Sequence, residues 1–306
     1  RSLLKEKRIS SHRKRTGDRQ TIDLARARIY ELVEFFNPYL NDDGLLEKLP
    51  KWVFVEYSYA NKLVQDVSYP SNMLYAEMLD AVSRLYGDSA LAEQAANIRK
   101  EIGNQSFDGE YFIDNARLNE KGYAVPTDQH TEVCQYYAFL FGVATPESHP
   151  TLWARLRDEV VPGRVEKGLY PDLHPINAFI GSYLRLELLS KYGLSKQILN
   201  ESIATYKAMA DRTGTLWESL KPKASCNHGF ASHLTNVLYR DVLGVYEILP
   251  CERKIRLRFI DSGLEWCKGS IPVGDDQLDV EWQRLPNGEF DVKLKLPSGY
   301  THEIIK

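Results

Sequence analysis

The sequence has 306 residues and a net charge of −3, with 43% hydrophobic and 26% charged residues. This composition is typical of a globular protein with a substantial core, and the slightly acidic balance argues against nucleic acid as a partner. No apolar run approaches the roughly 20 residues that a membrane span needs. The basic opening segment 1–15 lacks the apolar stretch of a signal peptide, and we interpret it as a solvated helix face.

The four cysteines are widely spaced and form no CxxC pair, which argues against a zinc site and against a disulfide framework. We therefore expect free thiols, no metal, no cofactor and a reducing, cytoplasmic environment. These cysteines are Cys134, Cys226, Cys251 and Cys267. Tyrosine is abundant, and many aromatic residues fall in loop-like segments, which is typical of a sugar-binding cleft, although large side chains also pack wherever space allows.

Five glycines follow helix-like segments and predict tight turns between antiparallel helices, because glycine adopts the left-handed cap conformation without steric cost. They are Gly17, Gly87, Gly142, Gly193 and Gly244. Their spacing of roughly 50 to 70 residues predicts a series of αα-hairpins that stack into a solenoid or close into a toroid.

The remaining connections are long and hold carboxylates and aromatic residues. In an up-and-down helical array, alternate connections share an end, so we expect these long loops to meet on one side of the array, where function is usually found. Their chemistry-bearing residues are Trp52, Glu56, Tyr57, Asp66, Asp108, Asp114, Asp172, His174, Trp217, Glu218 and His228.

From about Glu247 the pattern changes to alternating apolar and polar residues, separated by turn signals such as Pro286-Asn287-Gly288. This alternation predicts antiparallel strands. The predicted organisation is a helical-hairpin domain over residues 1–246 and a small antiparallel β-domain over residues 247–306.

The sequence contains no GxGxxG, P-loop, HExxH or GxSxG motif, which argues against nucleotide binding, zinc-dependent hydrolysis and a serine nucleophile. Carboxylates and aromatics in a cleft favour glycoside hydrolysis, which needs two carboxyl groups. Glu218 is the best candidate for one of them, because it follows Trp217 at a point where a helix must stop. An equally weighted alternative is that Glu218 caps a helix or forms an ion pair there.

Two further residues have a structural and a functional interpretation. His228 follows Asn227, a good helix N-cap, and on the residues alone we favour a helix-start role in which His228 bonds a neighbouring backbone group. Trp52 lies between Val53 and Val55 and is predicted either as a core residue or as a wall of the cleft.

Several segments resemble the α-L-rhamnosidases of glycoside hydrolase family 78, and the likeness extends over nearly the whole chain. They include DDGLLEKLPKWVFVEYS, SFDGEYFIDNA, TEVCQYYAF and, above all, GTLWES followed by SCNHGFAS. The resemblance implies a mainly α fold of (α/α)6 toroid-type hairpins, incomplete in this chain, followed by a small antiparallel β-sandwich.

The resemblance also implies an inverting hydrolase that releases terminal L-rhamnose from glycosides or polysaccharides. It assigns the general base to Glu218 and contacts with the sugar to His228 and Trp52. Trp217, beside the base, is also predicted to bind the substrate. Inverting enzymes hold their two carboxyl groups roughly 6.5 to 9.5 Å apart. The expected partner is a rhamnoside, with neither nucleic acid nor membrane.

The sequence departs from the family pattern in two ways: it has no segment matching the general-acid motif, and it predicts about nine helices against the twelve of a closed toroid. We therefore expect a C-terminal part of a longer enzyme, with the missing N-terminal part as a partner and an apolar helix flank exposed without it. The alternatives are another (α/α)6 glycosidase or lyase, and a non-catalytic carbohydrate-binding toroid.

Overall fold

The computed structural model describes residues 16–178, 180–221 and 224–305. The basic segment 1–15, interpreted above as a solvated helix face, lies outside the described residues. The chain divides into two compact units. The first unit is Asp18–Arg185, and the second unit begins at Leu186 and also takes in Gly17.

Paired helices form most of the first unit. Its helices are α1 (Arg19–Phe35), α2 (Tyr69–Tyr86), α3 (Ser89–Ser106), α4 (Glu132–Leu140), α5 (Pro150–Asp158) and the first part of α6 (Gly181–Lys191).

The α2–α3 hairpin follows directly from its turn residues. Gly87 ends α2 in the left-handed conformation, with φ of 71°, which a residue with a side chain rarely adopts. The Asp88 carboxylate then accepts hydrogen bonds from the backbone N–H groups of Ala90 and Leu91 and starts α3. The hairpin predicted from the Gly-Asp pair is thus confirmed. Met73, which is fully buried on α2, belongs to the core of the unit.

The long connections of the first unit meet through short strands. Strand β1 (Val67–Ser68) pairs antiparallel with β2 (Asn115–Leu118), which pairs antiparallel with β3 (Ala124–Pro126). Strand β4 (His130–Thr131) pairs in parallel with β5 (Leu173–His174). Three connections that are far apart in sequence therefore come together, as we expected for connections that share an end.

The second unit begins with helices and ends with strands. Its helices are the remainder of α6, then α7 (Ser195–Thr213) and α8 (His233–Val237), which continues into a π-helical turn, Leu238–Val242. Gly244 follows this turn with φ of 95° and leads into strand β6 (Val245–Leu249). The predicted helix-to-helix turn at Gly244 is therefore wrong, because the chain passes there from helix to strand.

Two three-stranded sheets form the end of the second unit, in the orders β6–β7–β11 and β8–β9–β10. The remaining strands are β7 (Lys254–Leu257), β8 (Trp266–Val273), β9 (Asp276–Arg284), β10 (Phe290–Lys295) and β11 (Thr301–Ile304). Buried residues of both sheets, among them Ile255, Leu257, Val280 and Trp282, share one hydrophobic cluster. The predicted β-sandwich is confirmed.

One pairing in this sandwich differs from the expectation. Strand β11 runs parallel to β7, with Thr301 opposite Lys254, whereas the alternation had predicted antiparallel strands. Alternation indicates which side chains point into the core, but it carries no information on the direction of a partner strand. Within the described ranges, no helix combines the length and apolar character required to cross a bilayer.

Candidate active site

The loop from Gly214 to Phe230 holds three of the predicted site residues within the second unit. Helix α7 ends where Gly214 adopts φ of 69°. Two backbone hydrogen bonds then join the two sides of the loop. The Glu218 N–H donates to the Ser225 carbonyl at 2.9 Å, and the His228 N–H donates to the Leu216 carbonyl at 3.0 Å. We call this segment the Glu218 loop. Its backbone bonds bring Trp217, Glu218 and His228 together.

Trp217 anchors this loop. Its side chain is buried, and its indole N–H donates to the Thr213 hydroxyl at 2.8 Å. The guanidinium of Arg212 lies 5.6 Å from the centre of the ring, within the range of a cation–π contact. These contacts hold the backbone that presents Glu218. The predicted contact between Trp217 and a sugar stays a prediction.

Glu218 is half-buried, and one of its carboxylate oxygens is held in place. The Ser225 N–H donates to Oε2 at 3.2 Å, so part of the alternative interpretation, in which Glu218 bonds a backbone group, is correct. The other oxygen, Oε1, has no hydrogen-bond partner among the described residues. The carboxylate is therefore oriented through one oxygen and has an acceptor oxygen left for a further ligand.

His228 has the helix-start role that we favoured from the sequence. It precedes the 3-10 helix Gly229–Ser232, and its Nδ1 accepts a hydrogen bond from the Phe230 N–H at 3.3 Å. A neutral imidazole that accepts at Nδ1 carries its proton on Nε2. This hydrogen bond orients the ring, while the His228 backbone is held to Leu216, two residues before Glu218.

Trp52 belongs to the first unit, where it is 68% exposed. Because its side chain is largely exposed, Trp52 is not a core residue, and the interpretation as a wall of a cleft is favoured. The ring borders two cavities, an apolar one of about 430 Å³ and a more polar one of about 360 Å³. Phe35, Phe54 and Tyr137 help to line the apolar cavity, and Lys51 helps to line the polar one.

The other carboxylates of the long loops have varied environments. Glu56 is fully buried, which raises its pKa, and its Oε1 accepts a hydrogen bond from the Gly181 N–H at 3.4 Å. Asp66 borders the polar cavity and accepts from the Leu118 N–H at 2.8 Å. Asp172 is exposed. None of these positions identifies a general acid. Across the described ranges, no three His, Cys, Asp or Glu side chains are grouped so as to hold a metal ion.

Asp114 has the most perturbed carboxyl of these loops. It lies immediately before β2 and accepts hydrogen bonds from the Thr131 N–H at 2.7 Å and the Thr131 hydroxyl at 2.8 Å. Burial raises the pKa of its carboxyl to about 7, although both hydrogen bonds favour the charged form. The Asp114 carboxyl therefore joins two points of one long connection, between α3 and α4, and is itself sensitive to pH.

We expect the free energy of unfolding to fall as the pH rises from about 4 to about 7 because of Asp114. The folded chain holds this proton up to the raised pKa, while the unfolded chain releases it near 3.8. One extra proton in the folded state lowers stability by about 1.4 kcal/mol for each pH unit. Urea unfolding of wild type and Asp114→Asn at several pH values measures this slope. The Asn variant should lack it and Glu120→Gln, an exposed control, should retain it. Equal slopes in all three proteins would contradict the assignment.

A second buried feature, an ion pair between Glu132 and Arg164, was not predicted from the sequence. The Arg164 Nε donates to Glu132 Oε1 at 2.6 Å, and its other nitrogens donate to the carbonyls of Leu169, Tyr170 and Leu173 at 2.9, 3.1 and 2.5 Å. Both charged side chains are buried. The pair ties the connection after α5 to the start of α4.

No family model and no curated protein matches the chain. Solved structures do. A GH78 family rhamnosidase of Bacillus sp. GL1 matches 96% of this chain with a TM-score of 0.80 and 18% identity. The α-L-rhamnosidase of Dictyoglumus thermophilum matches 95% with a TM-score of 0.67 and 14% identity. A rhamnosidase from Klebsiella oxytoca with rhamnose bound matches 78% with a TM-score of 0.59 and 14% identity.

The chain spans only part of each of these proteins, namely 32%, 33% and 46% of their lengths in the order given. Two of the three matches nevertheless extend over almost all of this chain, from the helical hairpins to the β-sandwich. The chain therefore has the fold of the GH78 rhamnosidases over the part of that fold which it spans.

Proposed function

We propose that this chain is part of an inverting α-L-rhamnosidase that releases terminal L-rhamnose, with Glu218 as the general base. The observation that carries the proposal is the carboxylate of Glu218, which is oriented by Ser225 and flanked by Trp217 and His228 in one loop. The shared fold supports this choice of reaction, and the rhamnose bound to the Klebsiella oxytoca rhamnosidase supports the choice of sugar.

The proposed step is a single displacement at the anomeric carbon. Glu218 Oε1 accepts a proton from a water molecule, and the water oxygen forms a bond to C1 of the sugar. At the same time the bond from C1 to the glycosidic oxygen breaks, and a carboxylic acid on the opposite face protonates that oxygen. The product is the inverted sugar and an alcohol. His228 and Trp217 are proposed to contact or support the sugar, and the contact of Trp52 with a sugar stays a prediction from the family resemblance.

The general acid is proposed to come from residues outside this chain, in a longer protein that contains it. Glu56 is buried and held by a backbone N–H, Asp66 is engaged by Leu118, and Asp172 is exposed, so none of them is assigned this role. Two apolar side chains of α1 support the proposal of a further helical layer, since Leu24 is 75% and Phe35 is 51% exposed.

The proposal is tested by following an aryl α-L-rhamnoside with proton NMR. We expect the full-length protein to release β-L-rhamnose first, before mutarotation, and we expect the 306-residue chain alone to give no turnover, because it lacks the acid. Other aryl glycosides serve as controls for the sugar. Release of the α-anomer would contradict inversion. Failure of the full-length protein to hydrolyse any rhamnoside would contradict the proposed activity. Turnover by the 306-residue chain alone would contradict the proposal that the general acid lies outside it.

A second candidate is a non-catalytic carbohydrate-binding toroid. The hydrogen bond between Ser225 and the Glu218 carboxylate favours it, because this bond gives Glu218 a structural role that requires no catalysis. A full-length protein that binds L-rhamnose but hydrolyses no rhamnoside would support this candidate over the enzyme.

A further inference from the structure

The sheet β8–β9–β10 has one face that does not pack into the core of the sandwich. Residues such as Val280 and Trp282 point into the hydrophobic cluster, so their neighbours along each strand point the opposite way. We call the opposite side the outer sheet face. It consists mainly of Trp266, Lys268, Ser270, Asp279, Glu281, Gln283, Asp291, Lys293 and Lys295.

An unusual row of side chains crosses this face. Trp266 lies opposite Gln283 on β9, and Gln283 lies opposite Asp291 on β10. The indole is 65% exposed. None of the three side chains has a hydrogen bond or an ion pair among the described residues. The row therefore offers a flat aromatic surface, an amide and a carboxylate, all available to a ligand.

The next row is held together by charge. Glu281 accepts ion pairs from Lys268 at 3.1 Å and from Lys293 at 3.6 Å. The paired side chains are largely exposed, so they place charge beside the indole without holding it rigidly. The two rows border a cleft of about 210 Å³, which is lined by Trp266, Glu281, Trp282, Gln283, Asp291 and Lys293. This volume is below the roughly 300 to 1,000 Å³ of pockets that enclose a whole ligand, so the cleft could only contact one face of a sugar unit.

The charge of the cleft restricts the class of ligand. Of the two carboxylates in its lining, Glu281 is neutralised by Lys268 and Lys293, whereas Asp291 has no ion-pair partner among the described residues. An acidic sugar would meet the unpaired carboxylate of Asp291, so a uronate is disfavoured. A neutral pyranose avoids this repulsion: its C–H face can stack on the indole of Trp266, and its hydroxyls can hydrogen-bond to Gln283 and Asp291.

We propose that the outer sheet face is a second carbohydrate-binding site, which holds a neutral pyranose unit of a polysaccharide with Trp266 as the stacking platform. The site is separate from the Glu218 loop and needs no catalysis. It would keep the protein attached to a polymer while other residues act on the chain ends. Binding of a polysaccharide at this site does not depend on whether the protein hydrolyses rhamnosides.

Native electrophoresis of the 306-residue chain in gels containing galactomannan, glucomannan or mixed-linkage β-glucan tests the site, with polygalacturonate as the acidic comparison. We expect retardation in at least one of the three neutral gels and none in polygalacturonate. Trp266→Ala should weaken the apparent affinity at least tenfold, and Gln283→Ala should weaken it by less.

Tyr123→Ala is the matched control, since Tyr123 is an aromatic side chain of similar exposure, 68%, in the other unit. It should migrate as wild type does, and Trp266→Ala should keep the wild-type thermal midpoint because its side chain is mostly exposed. The site is disproved if no neutral polysaccharide retards the wild type, if only polygalacturonate does, or if Trp266→Ala is retarded as strongly as wild type.

Discussion

Glu218→Gln is expected to lower kcat on an aryl α-L-rhamnoside by about 10³-fold in the full-length protein, while the Kd for L-rhamnose changes less than about threefold. Glutamine cannot accept the proton of the attacking water, but its carbonyl oxygen can still accept the Ser225 N–H. The variant therefore separates the chemical role of Glu218 from its structural role in the loop. Steady-state kinetics and rhamnose titration measure the two effects.

Azide gives an independent check of the same role. It needs no general base, so it should restore turnover to Glu218→Ala by attacking C1 directly and should yield a β-rhamnosyl azide. Glu252→Gln is the matched control, because Glu252 is an exposed carboxylate of the same unit, and it should leave kcat unchanged. Wild-type turnover by Glu218→Gln would eliminate the base role.

Arg164→Met is expected to lower the free energy of unfolding of the 306-residue chain by about 3 to 5 kcal/mol. The substitution leaves the buried carboxylate of Glu132 without its counterion and removes the donor from the Leu173 carbonyl. Adding Glu132→Leu should cost less than the sum of the two single changes, because the double variant buries no unpaired charge. Urea unfolding measures all three variants.

Arg157→Met is the control for this prediction. Arg157 pairs with its neighbour Asp158 at 2.7 Å, but both side chains are well exposed, 40% and 55%. Exposed pairs of this kind contribute about 0 to 1 kcal/mol, so this variant should unfold almost as wild type does. If Arg164→Met also costs less than about 1 kcal/mol, the buried pair does not hold the connection after α5 in place.

Local residue chemistry predicted much of the fold. Gly87 and Asp88 predicted a helical hairpin because each has a conformational preference that acts within a few residues. The alternation around Val280 and Val292 predicted strands because a sheet buried on one face requires it. The sequence also placed Trp52 and Glu218 in long connections, and the structure places both outside regular helices.

Contacts between residues that are far apart in the sequence could not be predicted from local residue chemistry. Arg164 looks like any surface arginine in the sequence, and only the folded chain brings Glu132 and the Leu173 carbonyl to it. The parallel pairing of β11 with β7 depends on the path of the chain rather than on the residues of either strand. The exposure of Trp52 could not be inferred either, because its flanking valines are equally compatible with a core strand.

The pairing of β1–β2–β3 and β4–β5 has a consequence for how such a scaffold can diversify. Only a few paired residues hold each of these long connections, so the segments between the paired residues are free to vary in length and sequence. The reversal at 119–123, which joins β2 to β3, is one such stretch. Doubling the length of a flexible loop costs only about 0.6 kcal/mol in closure entropy. Insertions at 119–123 can change the surface that the long connections present to a ligand, while the paired strands and the helices keep their structure.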